Sequence, residues 1–269
     1  MQILLATASL TSKRADMSDP KTLIPAATLV VFRHCPAGGA AQVLMVERSV
    51  QMRFAGGAAV FPGGRVDPAD RTLAAQLMPG HDADDAAGRI AAVRETLEET
   101  GLAIALAQPI SANEARAARA MLLKCGELAP VLEHFGWQLQ PQVLVPFAHW
   151  CPNWQGAFDT RFYLADLGTG AVDITVDDTE NTHMFWASPA EVLAKANAEE
   201  LSVIFPTQRN LERLAQFTSF AQASDHARST PVTAISPRRE MRDGQEWLLI
   251  PEGLGYPVTG QQWATIKRG

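Results

Sequence analysis

Residues 83–100 constrain this chain more than any other stretch. Read as a helix, they set Ala86, Ile90, Val93 and Leu97 on one stripe and Glu95, Glu98 and Glu99 on the opposite face. The three acids stand at i, i+3 and i+4, the spacing at which helix side chains become neighbours about 5–6 Å apart at Cβ. The apolar stripe must be buried against a core, and the acidic face needs compensation, because like charges this close destabilise a bare helix. Solvation is one compensation. A hard divalent cation is another, since Mg²⁺ or Mn²⁺ takes oxygen ligands and is held by a few carboxylates together with substrate phosphates and water. Arg94 can orient the acids through its forked donors, and Gly101 stands where a left-handed C-cap is expected. Asp82, Asp84 and Asp85 read as helix-start residues rather than further ligands.

The segment Phe61-Pro62-Gly63-Gly64-Arg65-Val66-Asp67 adds the second half of the pattern. Gly63-Gly64 permits a tight turn and close approach of the backbone, Pro62 presets the entry, and a free carbonyl at Gly64 can become a further metal ligand. Together the two stretches resemble the box of the Nudix hydrolase family: Gly, five residues, Glu, seven residues, Arg-Glu, an aliphatic, any residue, Glu-Glu, any residue, Gly, aliphatic. Gly64 fits the first position, and Arg94-Glu95, Glu98-Glu99, Gly101 and Leu102 fit the second half. Asp70 stands where the family has Glu, Thr96 replaces the aliphatic residue, and the distance from Asp70 to Arg94 implies an insert at about 71–87. An insert here is similar to the branch holding the nucleoside diphosphate-linked moiety X motif 19 hydrolases, which are coenzyme A diphosphatases. Met52–Val60 and Phe158–Phe162 add to that likeness.

The resemblance implies an α/β fold, the Nudix α/β/α sandwich with a mixed sheet, and hydrolysis of a diphosphate bond in a nucleoside diphosphate-linked compound. Glu95 and Glu99, with Glu98 and the Gly64 carbonyl, would hold Mg²⁺ or Mn²⁺. Glu98 or Glu180 would take the proton of the attacking water, Glu180 because the family often carries a loop carboxylate before a strand ending in Trp; the sequence does not choose between them. The branch implies coenzyme A or an acyl derivative as substrate. ADP-ribose, NADH, a nucleotide sugar or an oxidised nucleotide are alternatives within the same chemistry, and a non-catalytic nucleotide sensor is an alternative outside it.

Substrate contacts are expected from Gly63 and Arg65 in the glycine segment, from Arg53 beside Gly56 and Gly57, and from Arg161. An Arg with flanking glycines can cradle an anion through its guanidinium and exposed amides. Trp150 and Trp154 can stack on a nucleotide base. His149, without a second His at metal spacing, reads as structural, and Cys35 and Cys151 read as small fillers.

With 269 residues and 47% hydrophobic content the chain can bury a full core. A net charge of −6 without a basic block argues against nucleic acid as a partner. No stretch reaches the run of about 20 apolar residues that a membrane helix needs. Three cysteines without zinc spacing point to a reducing, cytoplasmic compartment. Residues 1–21 read as a flexible lead, with Met17 an alternative start, and 22–220 as the hydrolase domain. Residues 221–269 read as a linker and tail packing on the domain or on the second subunit of a homodimer. Strands are expected at Ala26–Arg33, Gln42–Arg48, Leu102–Leu106, Val143–Trp150, Arg161–Leu164, His183–Trp186 and Glu246–Ile250, and helices at Ala112–Lys124 and after Ser188 and Pro206.

Overall fold

A computed structural model of the chain describes residues 22–49, 55–167 and 181–266. β1 (Ile24–Arg33) and β2 (Gln42–Arg48), both rich in β-branched and aliphatic residues, form the expected antiparallel pair, with Phe32 opposite Val43. β3 (Ala59–Val60) continues beside β2, and β4 (Gly63–Arg65) turns back against β1, so that Ala27 faces Gly64. Then come the helices α1 (Pro68–Leu77), α2 (Ala83–Thr100), α3 (Ala112–Cys125) and α4 (Leu128–Phe135). β5 (Val145–Trp150), β6 (Phe158–Asp166) and β7 (Asn181–Ala187) follow, then α5 (Pro189–Asn197), α6 (Phe205–Leu214) and α7 (Phe220–Ser229). The chain ends in β8 (Ala234–Ile235), β9 (Arg238–Arg242), β10 (Gln245–Leu249) and β11 (Gly260–Gln262).

The main sheet runs β3-β2-β1-β6-β5-β8, with β4 also on β1 and β7 also on β2. β1 and β6 are parallel along Ile24–Phe32, whereas β5 and β6 are antiparallel, so the sheet is mixed. Alternate strand residues point to opposite faces. Leu29, Val31, Leu44 and Tyr163 join Ile90, Val93 and Leu97 of α2 in one core, while Val30, Phe32, Met45 and Phe147 join Val192, Leu211 and Ala223 of the later helices in another. Helices on both faces of a mixed sheet make an α/β/α sandwich.

Two expectations are corrected. Leu102–Leu106 is not a strand: Leu102 and Ile104 are buried, but only Leu106 makes a bridge, to Leu139, and Ala105 has φ of 59°. Residues 221–230, expected as linker, fall almost wholly within α7, whose Ser219 cap accepts from the Gln222 amide and whose Ala223 and Ala227 pack in the second core. Beyond it, Leu248, Ile250 and Tyr256 join that same core. Among the described residues no helix is long and apolar enough to cross a membrane.

Candidate active site

α2 begins and ends where its residue types dictate. The Asp82 side chain accepts from the Asp85 amide at the N-cap, and Gly101 adopts φ 75° at the C-cap. Inside the helix, Gly88 is a requirement of packing, because a Cβ there would lie 2.7 Å from the Tyr163 hydroxyl. Thr96, in place of an aliphatic residue, is fully buried and satisfies its hydroxyl on the Ala92 carbonyl at 2.7 Å.

Arg94 is the hub of the acidic face. Its guanidinium, 3% exposed, grips Asp70 with two bonds, Nε to Oδ1 at 2.9 Å and Nη2 to Oδ2 at 3.0 Å. Nη2 also donates to the Arg65 carbonyl at 2.9 Å, and Nη1 reaches Glu98 Oε2 at 3.0 Å and Glu95 Oε1 at 3.1 Å. Asp70 in turn accepts the Asp67 amide at 2.9 Å, closing a capping box at the start of α1. The shorter acid thus serves both as a helix cap and as the anchor of Arg94. Burial alone would lower the Arg94 pKa, but Asp70, Glu95 and Glu98 outweigh it and raise it, so the cation is permanent.

The glycine strand lies directly against these acids. The Gly63 amide donates to Glu99 Oε2 at 3.0 Å. At Gly63 a Cβ would sit 2.3 Å from the Ala27 carbonyl, fixed backbone that leaves no room for a side chain, and at Gly64 it would sit 2.3 Å from Glu95 Oε1, so that a side chain there would have to displace the Glu95 carboxyl. Burial pushes Glu95 up to about 7, with Arg94 opposing the rise and Glu98 adding to it; burial raises Glu98 as well. A buried acid with an acidic neighbour is poorly compensated by one guanidinium shared among several carboxylates. The donor set is all oxygen, with no thiol or imidazole in it, and so fits a hard divalent cation.

The chain is 26% identical to acyl-coenzyme A diphosphatase NUDT19 of Gallus gallus, in an alignment of 295 residues covering 84% of this chain and 76% of that protein. It also matches the crystal structure of a Nudix hydrolase from Alicyclobacillus acidocaldarius at 29% identity and TM-score 0.65, over 76% of this chain and 96% of the other. Both matches support a Nudix-type hydrolase of the NUDT19-like branch. No family sequence model matches it.

Around the box, the hydrolase places the expected residues unevenly. Glu95, Glu98, Glu99, Arg94, Gly63 and Gly64 are brought together. Arg65 is exposed on β4 with its guanidinium 5.9 Å from the Phe158 ring, and Arg161 lies across β1 from Gly64, 3.9 Å from Asp82. Arg53 and Glu180 lie outside the described residues. Trp150 is corrected: at 1% exposure it is edge-on to Phe205 and Tyr256 inside the second core and offers no face to a base, whereas Trp154 is 53% exposed. Sequence reasoning missed Arg119 of α3, whose Nε donates to the Glu98 carbonyl at 2.7 Å and pins the last turn of α2. An Arg within an alanine-rich helix carries no local signal for such a role.

Proposed function

We propose that this hydrolase cleaves the diphosphate bond of coenzyme A or an acyl-coenzyme A, giving phosphopantetheine or its acyl derivative and adenosine 3′,5′-bisphosphate. The observation that carries the chemistry is that Glu95 and Glu99 lie against Gly63-Gly64 while one buried guanidinium, that of Arg94, holds Glu95 and Glu98 beside them. The similarity to an acyl-coenzyme A diphosphatase over most of both chains supports the substrate class.

Glu95, Glu98 and Glu99, with the Gly64 carbonyl, are the residues that would hold Mg²⁺ or Mn²⁺. When bound, such a cation neutralises diphosphate oxygens and makes a water nucleophilic near neutral pH. Glu98, held in place by Arg94, accepts the proton of the attacking water in this reading; Glu180 is the other candidate base. Arg65 and Arg161 offer guanidinium forks to the phosphate oxygens in this reading, and Arg53, outside the described residues, is a further candidate. Arg94, turned toward Asp70 and the Arg65 carbonyl, positions the acids rather than touching substrate. Three free cysteines agree with a reducing, cytoplasmic setting.

The test is mass-spectrometric product analysis after incubating the protein with Mg²⁺ or Mn²⁺ and a panel of coenzyme A, acetyl-coenzyme A, ADP-ribose, NADH and nucleoside triphosphates. Cleavage of the coenzyme A members, abolished by chelation, is expected. Preference for another member would keep the chemistry and discard the substrate. No cleavage of any member would favour a nucleotide-binding module.

A further inference from the structure

A second group of metal-ligating side chains stands elsewhere on the sheet. His149 on β5 and Cys151 just beyond its end are two residues apart in extended chain and share a face. The β5–β6 register pairs His149 with Arg161 and Trp150 with Thr160, and one further step brings Asp159 opposite Cys151. His149 Nε2 contacts Asp159 Oδ1, and one ligand atom from each of the three residues lies within 4.8 Å of the other two. All three are partly buried. The Cys151 amide is bonded to the Ile235 carbonyl of β8 at 2.8 Å, so the end of β5 is held on both sides.

We propose that His149, Cys151 and Asp159 form a zinc site. One thiolate, one imidazole and one carboxylate are a mixed donor set that Zn²⁺ accepts tetrahedrally at about 2.0–2.3 Å, leaving a fourth position for water or a ligand. Mg²⁺, which prefers an all-oxygen shell, is poorly served by sulfur and nitrogen. The two clusters therefore divide cations by softness. They are also apart in space: Gly64, Ala27, Arg161 and His149 are successive cross-strand neighbours, which sets His149 about 14 Å from Gly64 at the usual strand spacing.

Binding replaces the thiol proton of Cys151, which leaves to solvent, and opens the contact between His149 and Asp159 so that both face the ion. Thiolate and carboxylate then cancel the charge of Zn²⁺, while the adjacent Arg161 is balanced by Asp82 at 3.9 Å. A nucleophilic reading of the same residues is disfavoured by their order. A Cys-His-Asp triad needs the imidazole between thiol and carboxylate, whereas here Asp159 is the shared partner of His149 and Cys151.

The experiment is titration of the metal-stripped full chain with Co²⁺, followed by the thiolate-to-cobalt charge-transfer absorption that oxygen ligation at the acidic face of α2 cannot produce. The expected result is a band that saturates at one equivalent, is displaced by Zn²⁺, vanishes in Cys151→Ser and persists in Cys35→Ser, Cys125→Ser and Glu98→Gln. His149→Gln is expected to weaken Zn²⁺ binding at least about 10–100-fold, the loss that even outer-shell changes bring. Absence of the band in the wild type, or its survival in Cys151→Ser, would overturn the proposal. Neither outcome depends on turnover, so failure here is separable from failure of the diphosphatase reading.

Discussion

Removing the Arg94 guanidinium would leave Asp70, 1% exposed, without its cation. Breaking a buried pair from one side costs about 3–5 kcal/mol, so Arg94→Ala is expected to lose that much in urea unfolding. Arg94→Lys keeps the charge but not the fork, and should recover only part of it; a cost below about 1 kcal/mol for either variant would contradict the hub. Gly64→Ala tests the other side of the site. Its methyl would displace the Glu95 carboxyl, the movable end of a side chain, so stability should change little while the Mg²⁺ concentration needed for half-maximal rate rises. An unchanged Mg²⁺ dependence would count against Glu95 as a ligand. At this scale Gly64, Arg94 and the three acids were legible because their spacing survives a long insert, and Asp70 was legible as a substitute acid. Trp150 was not. Which face of β5 it takes depends on register with β6, and a shift of one residue exchanges it with His149.

Among the elements, α2 could be read to its ends because cap, stripe and C-terminal glycine all agree, whereas α7 was hidden by its composition. Its small residues are small because the sheet is close: Ala223 is fully buried and Ala227 nearly so. Ala223→Leu is therefore expected to overpack that contact and cost about 1–3 kcal/mol, measured as a fall in melting temperature; no fall would show that α7 is loosely docked. The same helix carries a pH dependence. His226 faces Arg213 of α6 at 3.3 Å, the Phe217 ring at 4.8 Å, the Thr230 hydroxyl at 3.5 Å and Gly255 of the C-terminal segment. Burial, then Arg213, lowers its pKa. The unfolded chain thus takes up the proton before the folded one, so stability falls as pH drops from about 6.5 through the folded value. His226→Gln should flatten the melting-temperature profile across that interval, and an unchanged slope would sink the assignment. Leu102–Leu106 was misread for a simpler reason, since its alternating apolar residues serve burial under α2 and α3 without a strand beside them.

For the whole molecule, the tail is the informative part. β8 pairs with β5, Tyr256 donates to Asn210 Oδ1 at 2.8 Å, and Arg213 stacks 4.1 Å from the Phe147 ring and 5.3 Å from Tyr256. We read residues 231–266 as part of the same folded unit as the sandwich. A chain ended at Thr230 should expose the second core and bind a hydrophobic dye, with loss of cooperative unfolding; a cooperative, dye-silent truncation would make the tail dispensable. Its sequence showed one strand, Glu246–Ile250, but not that Leu248 and Ile250 reach across to the helices, because contacts between distant segments leave no periodic trace in either.

Everything proposed for this chain turns on diphosphate hydrolysis at the acidic face of α2. The most direct measurement is the turnover number of the wild type and of Glu98→Gln, at saturating Mg²⁺, on the substrate that the product panel selects. Loss of a general base costs about 10²–10⁴ in rate, so a fall of at least the lower figure is expected, with the melting temperature retained. Turnover within a few-fold of wild type in a folded Glu98→Gln variant would contradict it.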